Sequence, residues 1–146
     1  MSDDALFARR ACAALVVTCS DFRFKSAERR FAEAAGLTDD YDLIARPGAI
    51  RSLVAPASAG ARESLEGEIT MLWALHRFTR VLMVNHLTCG AYGDLVSSGD
   101  GRDVHAAHLR AAAVAIEALV AGATAEAYLV GVVEGAAVVE EISIRG

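Results

Sequence analysis

Five side chains able to take part in metal or acid–base chemistry fall in two short segments of this chain. The first segment is Cys19-Ser20-Asp21-Phe22-Arg23, in which Cys19, Asp21 and Arg23 alternate with other residues. In an extended stretch that period of two puts all three on one side. The second is His86-Leu87-Thr88-Cys89-Gly90, where an imidazole and a thiol three residues apart in a turn can reach one metal ion. Thiolate and imidazole are ligands that suit zinc, and three protein ligands leave a fourth position open. Each motif alone is weak, because a single cysteine is commonly just a small buried residue. A redox pair of Cys19 and Cys89 is the other chemistry open to these thiols, although neither lies in a Cys-x-x-Cys motif.

The elements that must carry these residues decide whether the two segments can meet. Ala13–Cys19 is a continuous apolar run stopped by Ser20-Asp21, as expected of a strand buried on both faces. Phe24–Ala35 repeats at helical spacing, with Phe24, Ala27, Phe31, Ala34 and Ala35 on one stripe and Gly36 as C-cap. Tyr41–Ala45 is a second short strand, ended by the turn residues Arg46-Pro47-Gly48. Leu53–Ala61 reads as a loop, Ser64–Phe78 as an amphipathic helix, and Arg80–Asn85 as another buried strand. Asp103–Val120 is a long helix closed by Gly122. Ala127–Val133 and Val138–Ile144 are strands joined by a turn at Glu134-Gly135. This order predicts a single α/β domain over residues 1–146, with a mainly parallel central sheet, flanking helices and a C-terminal antiparallel hairpin strand. Both motifs then sit just past the carboxyl end of a buried parallel strand, which is where ligands bind in open α/β sheets.

With the motifs placed, a resemblance can be stated. Cys19-x-Asp21-x-Arg23 followed by His86-x-x-Cys89-Gly90 resembles the zinc signature of the beta-class carbonic anhydrases, and the element order is similar over most of the chain. The resemblance implies Zn2+ held by Cys19, His86 and Cys89, and a dyad of Asp21 and Arg23. It implies zinc-dependent, reversible hydration of carbon dioxide to bicarbonate. Asp21 would orient the attacking oxygen, and Arg23 would hold Asp21. Released by Arg23, Asp21 would swing onto zinc as fourth ligand in a closed state. Gly48, Ala49, Gly90 and Tyr92 are the expected substrate-pocket residues. A homodimer or higher homo-oligomer is implied as well, since the family builds its cleft at a subunit interface.

The chain departs from the family pattern at Phe22, where serine is usual, and at Arg46-Pro47-Gly48-Ala49, where an Arg-Asn-Ala-Gly loop is usual. It also has little sequence before the first strand. These departures keep two other readings in play: a zinc-binding protein without hydratase activity, and hydrolysis of a related small molecule such as carbonyl sulfide.

Other residues attract plainer readings. His105 and His108 lie one helical turn apart and are read as a solvated helix start rather than as ligands. His76 closes a helix, where a cation complements the dipole. Cys12 is read as a packing residue and Glu140-Glu141 as a solvated strand end. With 14 Lys+Arg against 19 Asp+Glu, the net charge of −5 argues against a nucleic-acid partner. The apolar fraction of 54 % is high, but the longest apolar stretch, Ala111–Val133, contains Glu117 and Glu126, which opposes membrane insertion. Asp3 and Asp4 precede the first apolar run, against a secretory signal. A cytoplasmic location is therefore expected, with the odd number of cysteines as thiols or ligands rather than disulfides.

Overall fold

The computed structural model describes residues 2–145. A short helix α1 (Asp3–Phe7) precedes strand β1 (Ala14–Cys19), whose six residues are all buried. Helix α2 (Lys25–Ala34) leads to strand β2 (Tyr41–Arg46) and the short helix α3 (Arg51–Val54). Helix α4 (Ala59–His76) precedes strand β3 (Arg80–His86). Helix α5 (Arg102–Leu119) and the hairpin of β4 (Thr124–Val133) and β5 (Ala136–Ile142) complete the chain. The strands lie in the order β2-β1-β3-β4-β5, parallel from β2 to β4, with β5 antiparallel to β4.

Alternation along the central strands builds a core on each face of the sheet. Leu15 and Val17 of β1 join Val81 and Met83 of β3 in a core with Leu65 and Ile69 of α4 and Leu109 and Ile116 of α5. Ala14 and Val16, with Leu82 and Val84, face the other way against Phe24 and Ala32. After β1 the chain adds β2 on one side, then returns to add β3 on the other. The order of strands therefore reverses between β1 and β3, the switch point beyond whose carboxyl ends ligands bind in open α/β sheets. Cys19 is the last residue of β1 and His86 the last of β3.

Several expected boundaries move. The stretch read as a loop, Leu53–Ala61, contains the end of α3 and the start of α4. Small residues suit turns, but alanine is also the strongest helix former and lets α4 begin at Ala59. On α2 it is Ala32, not Ala34 or Ala35, that is buried with Ala27. Strand β4 starts earlier than its apolar run, because Glu126 is paired with Arg80 on the neighbouring strand at 2.7 Å. Glu134 and Gly135, both with positive φ, form the tight two-residue turn of the hairpin.

Candidate metal centre

Two turns bend the motifs toward each other. Arg46 accepts a hydrogen bond from the Ala49 N–H at 3.0 Å, closing a turn with Pro47 second and Gly48 third. Gly48 has φ +80°, so this is the type II pattern in which proline pre-sets one residue and glycine takes the left-handed one. The turn packs Ala49 against Cys19, and the Gly48 backbone helps to lower the Cys19 thiol. The second turn runs from His86 to Cys89 through Thr88, a β-branched residue at φ +54°. Such a backbone is strained for threonine and persists only where its surroundings demand it. It returns Cys89 toward His86.

The result is a cluster in which the ligand atoms of Cys19, His86 and Cys89 all lie within 4.8 Å of one another. The Sγ atoms of Cys19 and Cys89 are 3.9 Å apart, too far for a disulfide. Two thiolates on one tetrahedral zinc, each bonded at about 2.3 Å, stand roughly 3.8 Å apart, which this spacing matches. His86 Nδ1 lies 2.8 Å from the Leu87 carbonyl oxygen, which can only accept, so the proton sits on Nδ1. His86 Nε2 then carries a free lone pair, is fully buried, and has no hydrogen-bond partner. A buried, unpaired nitrogen beside two thiols fits a metal ion; with no ion it would be a cost of folding. The residues present fit zinc.

Electrostatics around the cluster favour a cation. Cys89 and the His86 ring beside it hold the Cys19 thiol well below the usual thiol range, against its burial. Cys19 in turn, with burial, pushes the Cys89 thiol up. Burial penalises the His86 imidazolium, but the Cys19 sulfur, the Leu87 carbonyl and Asp21 together raise its pKa.

Asp21 stands beside the trio, its Oδ2 3.6 Å from His86 Nε2. Arg23 grips it: Nη2 donates to Oδ2 at 2.7 Å, Nε to Oδ1 at 3.0 Å, and the Arg23 N–H to Oδ1 at 2.9 Å. Arg23 holds the Asp21 carboxyl far below the ordinary carboxylate range. Arg23 Nη2 also donates to the Thr88 carbonyl at 3.2 Å, tying the two motifs together.

The expected pocket residues divide. Ala49 and Tyr92 are buried against Cys19 and Cys89, and Gly48 is buried in the turn beneath Cys19. Gly90 is exposed and opens a single 3-10 turn, Gly90–Tyr92. Phe22, where the family pattern was broken, is 85 % exposed and does not fill the crevice.

His105 corrects the sequence reading, for it is buried rather than solvated. It packs on Tyr92 with ring centroids 4.1 Å apart, and its Nδ1 accepts from Asn85 Nδ2 at 2.9 Å. His108, half-buried, lies 3.0 Å from the Tyr92 hydroxyl. Burial, with the charges of His86 and His108, lowers the His105 pKa to about 4, and burial pushes Tyr92 up to about 12. The signal was present: His105 heads the buried stripe that continues through Leu109, Ala112 and Ile116. Asn85, the residue before His86, was missed as well.

The fold is that of an α/β domain distantly similar to the beta-carbonic anhydrases. The structure is similar to that of the beta-carbonic anhydrase CafA of Aspergillus fumigatus, with a TM-score of 0.57 and 18 % identity, covering 98 % of this chain and 81 % of that one. It is also similar to one of two tetrameric beta-carbonic anhydrases from Sordaria macrospora, with a TM-score of 0.55 and 14 % identity, covering 95 % and 84 %. At such identities the likeness is one of fold. No family model matches the sequence. An uncharacterized protein of Rickettsia bellii is 31 % identical over 83 residues, 57 % of this chain and 51 % of that protein. An uncharacterized protein of Rickettsia conorii is 27 % identical over 96 residues, 66 % of this chain and 52 % of that protein. The matches thus span about half the length of these curated relatives. Among the described residues no helix is long and apolar enough to cross a membrane.

Proposed function

We propose that this chain is a zinc-dependent hydratase interconverting carbon dioxide and bicarbonate, with Cys19, His86 and Cys89 as ligands. The observation that carries the reading is the buried, unpartnered His86 Nε2 facing two thiols spaced as zinc ligands are. Zinc held there supplies Lewis acidity that brings the ionisation of water toward neutral pH. Two thiolates make the centre less acidic than one with three histidines, so activity rises toward alkaline pH.

The remaining work falls to the chain. Asp21, ionised and able only to accept, takes a hydrogen bond from the attacking water and aims its lone pair at the carbon. Arg23 keeps Asp21 in that pose by paired, charge-assisted contacts. The Leu87 carbonyl holds His86 in place, as supports behind metal ligands do. Ala49 and Tyr92 pack against the two cysteines on the apolar side of the site. The similarity to a tetrameric enzyme supports a homo-oligomer, proposed here as a dimer.

Stopped-flow measurement of carbon dioxide hydration tests the proposal. Zinc-loaded protein should accelerate the reaction, chelation should abolish the acceleration, and Cys89→Ser should not recover it with added zinc. A zinc-loaded protein no faster than buffer would leave a metal-binding protein without this activity.

A further inference from the structure

The far end of the sheet holds a second cluster of metal-ligating groups. Cys12 lies just before β1, Asp42 is the second residue of β2, and His76 ends α4, just before β3. Three segments distant in sequence thus meet at the amino ends of the parallel strands, roughly 20 Å of strand from the Cys19 cluster. The ligand atoms of Cys12, Asp42 and His76 lie within 4.8 Å of one another, and all three residues are half-buried. We propose that Cys12, Asp42 and His76 form a second metal site, taking a divalent cation of the zinc class with a solvent-facing fourth position. This is independent of the reading of the Cys19 cluster.

Several features converge on that assignment. The donor set of one thiol, one imidazole and one carboxylate is one zinc accepts, with bonds of about 2.0–2.3 Å. His76 Nδ1 already stands 2.7 Å from Asp42 Oδ2, and the Cys12 N–H donates to the His76 carbonyl at 3.2 Å. The backbone of the thiol ligand is therefore pinned to the helix end that carries the imidazole. Ligands on one tetrahedral zinc stand roughly 3.3–3.6 Å apart, inside the 4.8 Å that spans these three atoms. His76 is the last residue of an 18-residue helix, whose carboxyl terminus carries partial negative charge and favours a cation.

The surroundings agree with the sign and leave access. Cys12, Asp42 and His76 line an open pocket of about 340 Å³ together with Leu6, Phe7 and Arg9. The Arg9 guanidinium is engaged by Asp40 and by the Asp39 carbonyl, so its charge is offset there. The pocket gives water or a small anion a path to the fourth position. The competing arrangement is a simple His76–Asp42 ion pair with a bystander thiol, and metal uptake separates the two.

Cobalt(II) is a suitable probe, because a cobalt–thiolate bond adds near-ultraviolet absorption. Metal-free protein carrying Cys19→Ser and Cys89→Ser should still take up one cobalt per chain and show that band. Adding Cys12→Ser should remove both band and metal, and adding His76→Ala instead should remove the metal. A folded double variant that takes up no cobalt overturns the proposal, as does uptake that survives Cys12→Ser. If the double variant does not fold, unsubstituted protein should bind two cobalt ions, falling to one in Cys12→Ser and in His76→Ala. One ion per chain, lost in Cys19→Ser but kept in Cys12→Ser, overturns this site and spares the other. One ion with the reverse pattern supports this site and removes the metal on which the hydratase reading depends.

Discussion

At the scale of single residues, the arrangement that matters is the grip of Arg23 on Asp21 beside the unpaired nitrogen of His86. Asp21 is 3.6 Å from that nitrogen, close enough to become a metal ligand itself if it were freed. Arg23→Ala is therefore expected to retain zinc and to lower carbon dioxide hydration by at least about 10²-fold, the usual scale for a misplaced catalytic group. Metal analysis alongside stopped-flow rates reads both effects. Full turnover in Arg23→Ala would reduce the contact to an ordinary surface ion pair.

At the scale of elements, the turn after β2 shows how local backbone supports the site. Gly48 has φ +80°, and a Cβ there would stand 3.2 Å from the Arg51 Cβ and 3.4 Å from the Ala91 Cβ. Arg51 cannot easily yield, since it donates to the Ala91 carbonyl and is paired with Asp94 at 2.7 Å. Left-handed backbone costs a residue with a Cβ about 1–2 kcal/mol. Gly48→Ala is expected to lower the unfolding free energy by about that much in urea titration. It should also weaken zinc, because the displaced turn is the one that packs Ala49 against Cys19.

At the scale of the whole molecule, acid should weaken the fold through His105. Its pKa is about 4 in the folded protein, lowered first by burial, against about 6.5 when unfolded. Between those values the unfolded chain binds a proton that the folded one excludes, so stability falls as pH drops from about 6.5 to about 4. The loss approaches about 3 kcal/mol for this group. His105→Gln should flatten the dependence of unfolding free energy on pH across that window, measured against the unsubstituted protein. Association is the other property at this scale. Leu43 on the edge strand β2 is 57 % exposed, and Val132, Val133 and Val138 are exposed at the hairpin. Light scattering after size exclusion is expected to give about twice the 15.3 kDa chain mass; a monomer that still hydrates carbon dioxide would refute a cleft shared between subunits.

Much of this was readable in the order of residues, for physical reasons. Strands buried on both faces need continuous apolar runs, so β1 and β3 stood out, and the polar residues ending them placed Cys19 and His86 at strand ends. Helical spacing exposed α2, α4 and α5, because an amphipathic stripe is a local pattern. Other features depended on tertiary contact. Alanine and serine suit both loops and helices, so the start of α4 was settled only by its packing. His105 looked solvated as the fourth residue of α5, and is buried because Tyr92 and Asn85 fold against it. Phe22 breaks the family pattern inside the first motif, yet its place in a 3-10 turn sends the ring to solvent. Cys12, Asp42 and His76 carry no spacing that links them, since the elements between them have no common period. Parallel strands align their amino ends whatever the length of the crossovers, and that alignment alone brings these three side chains together.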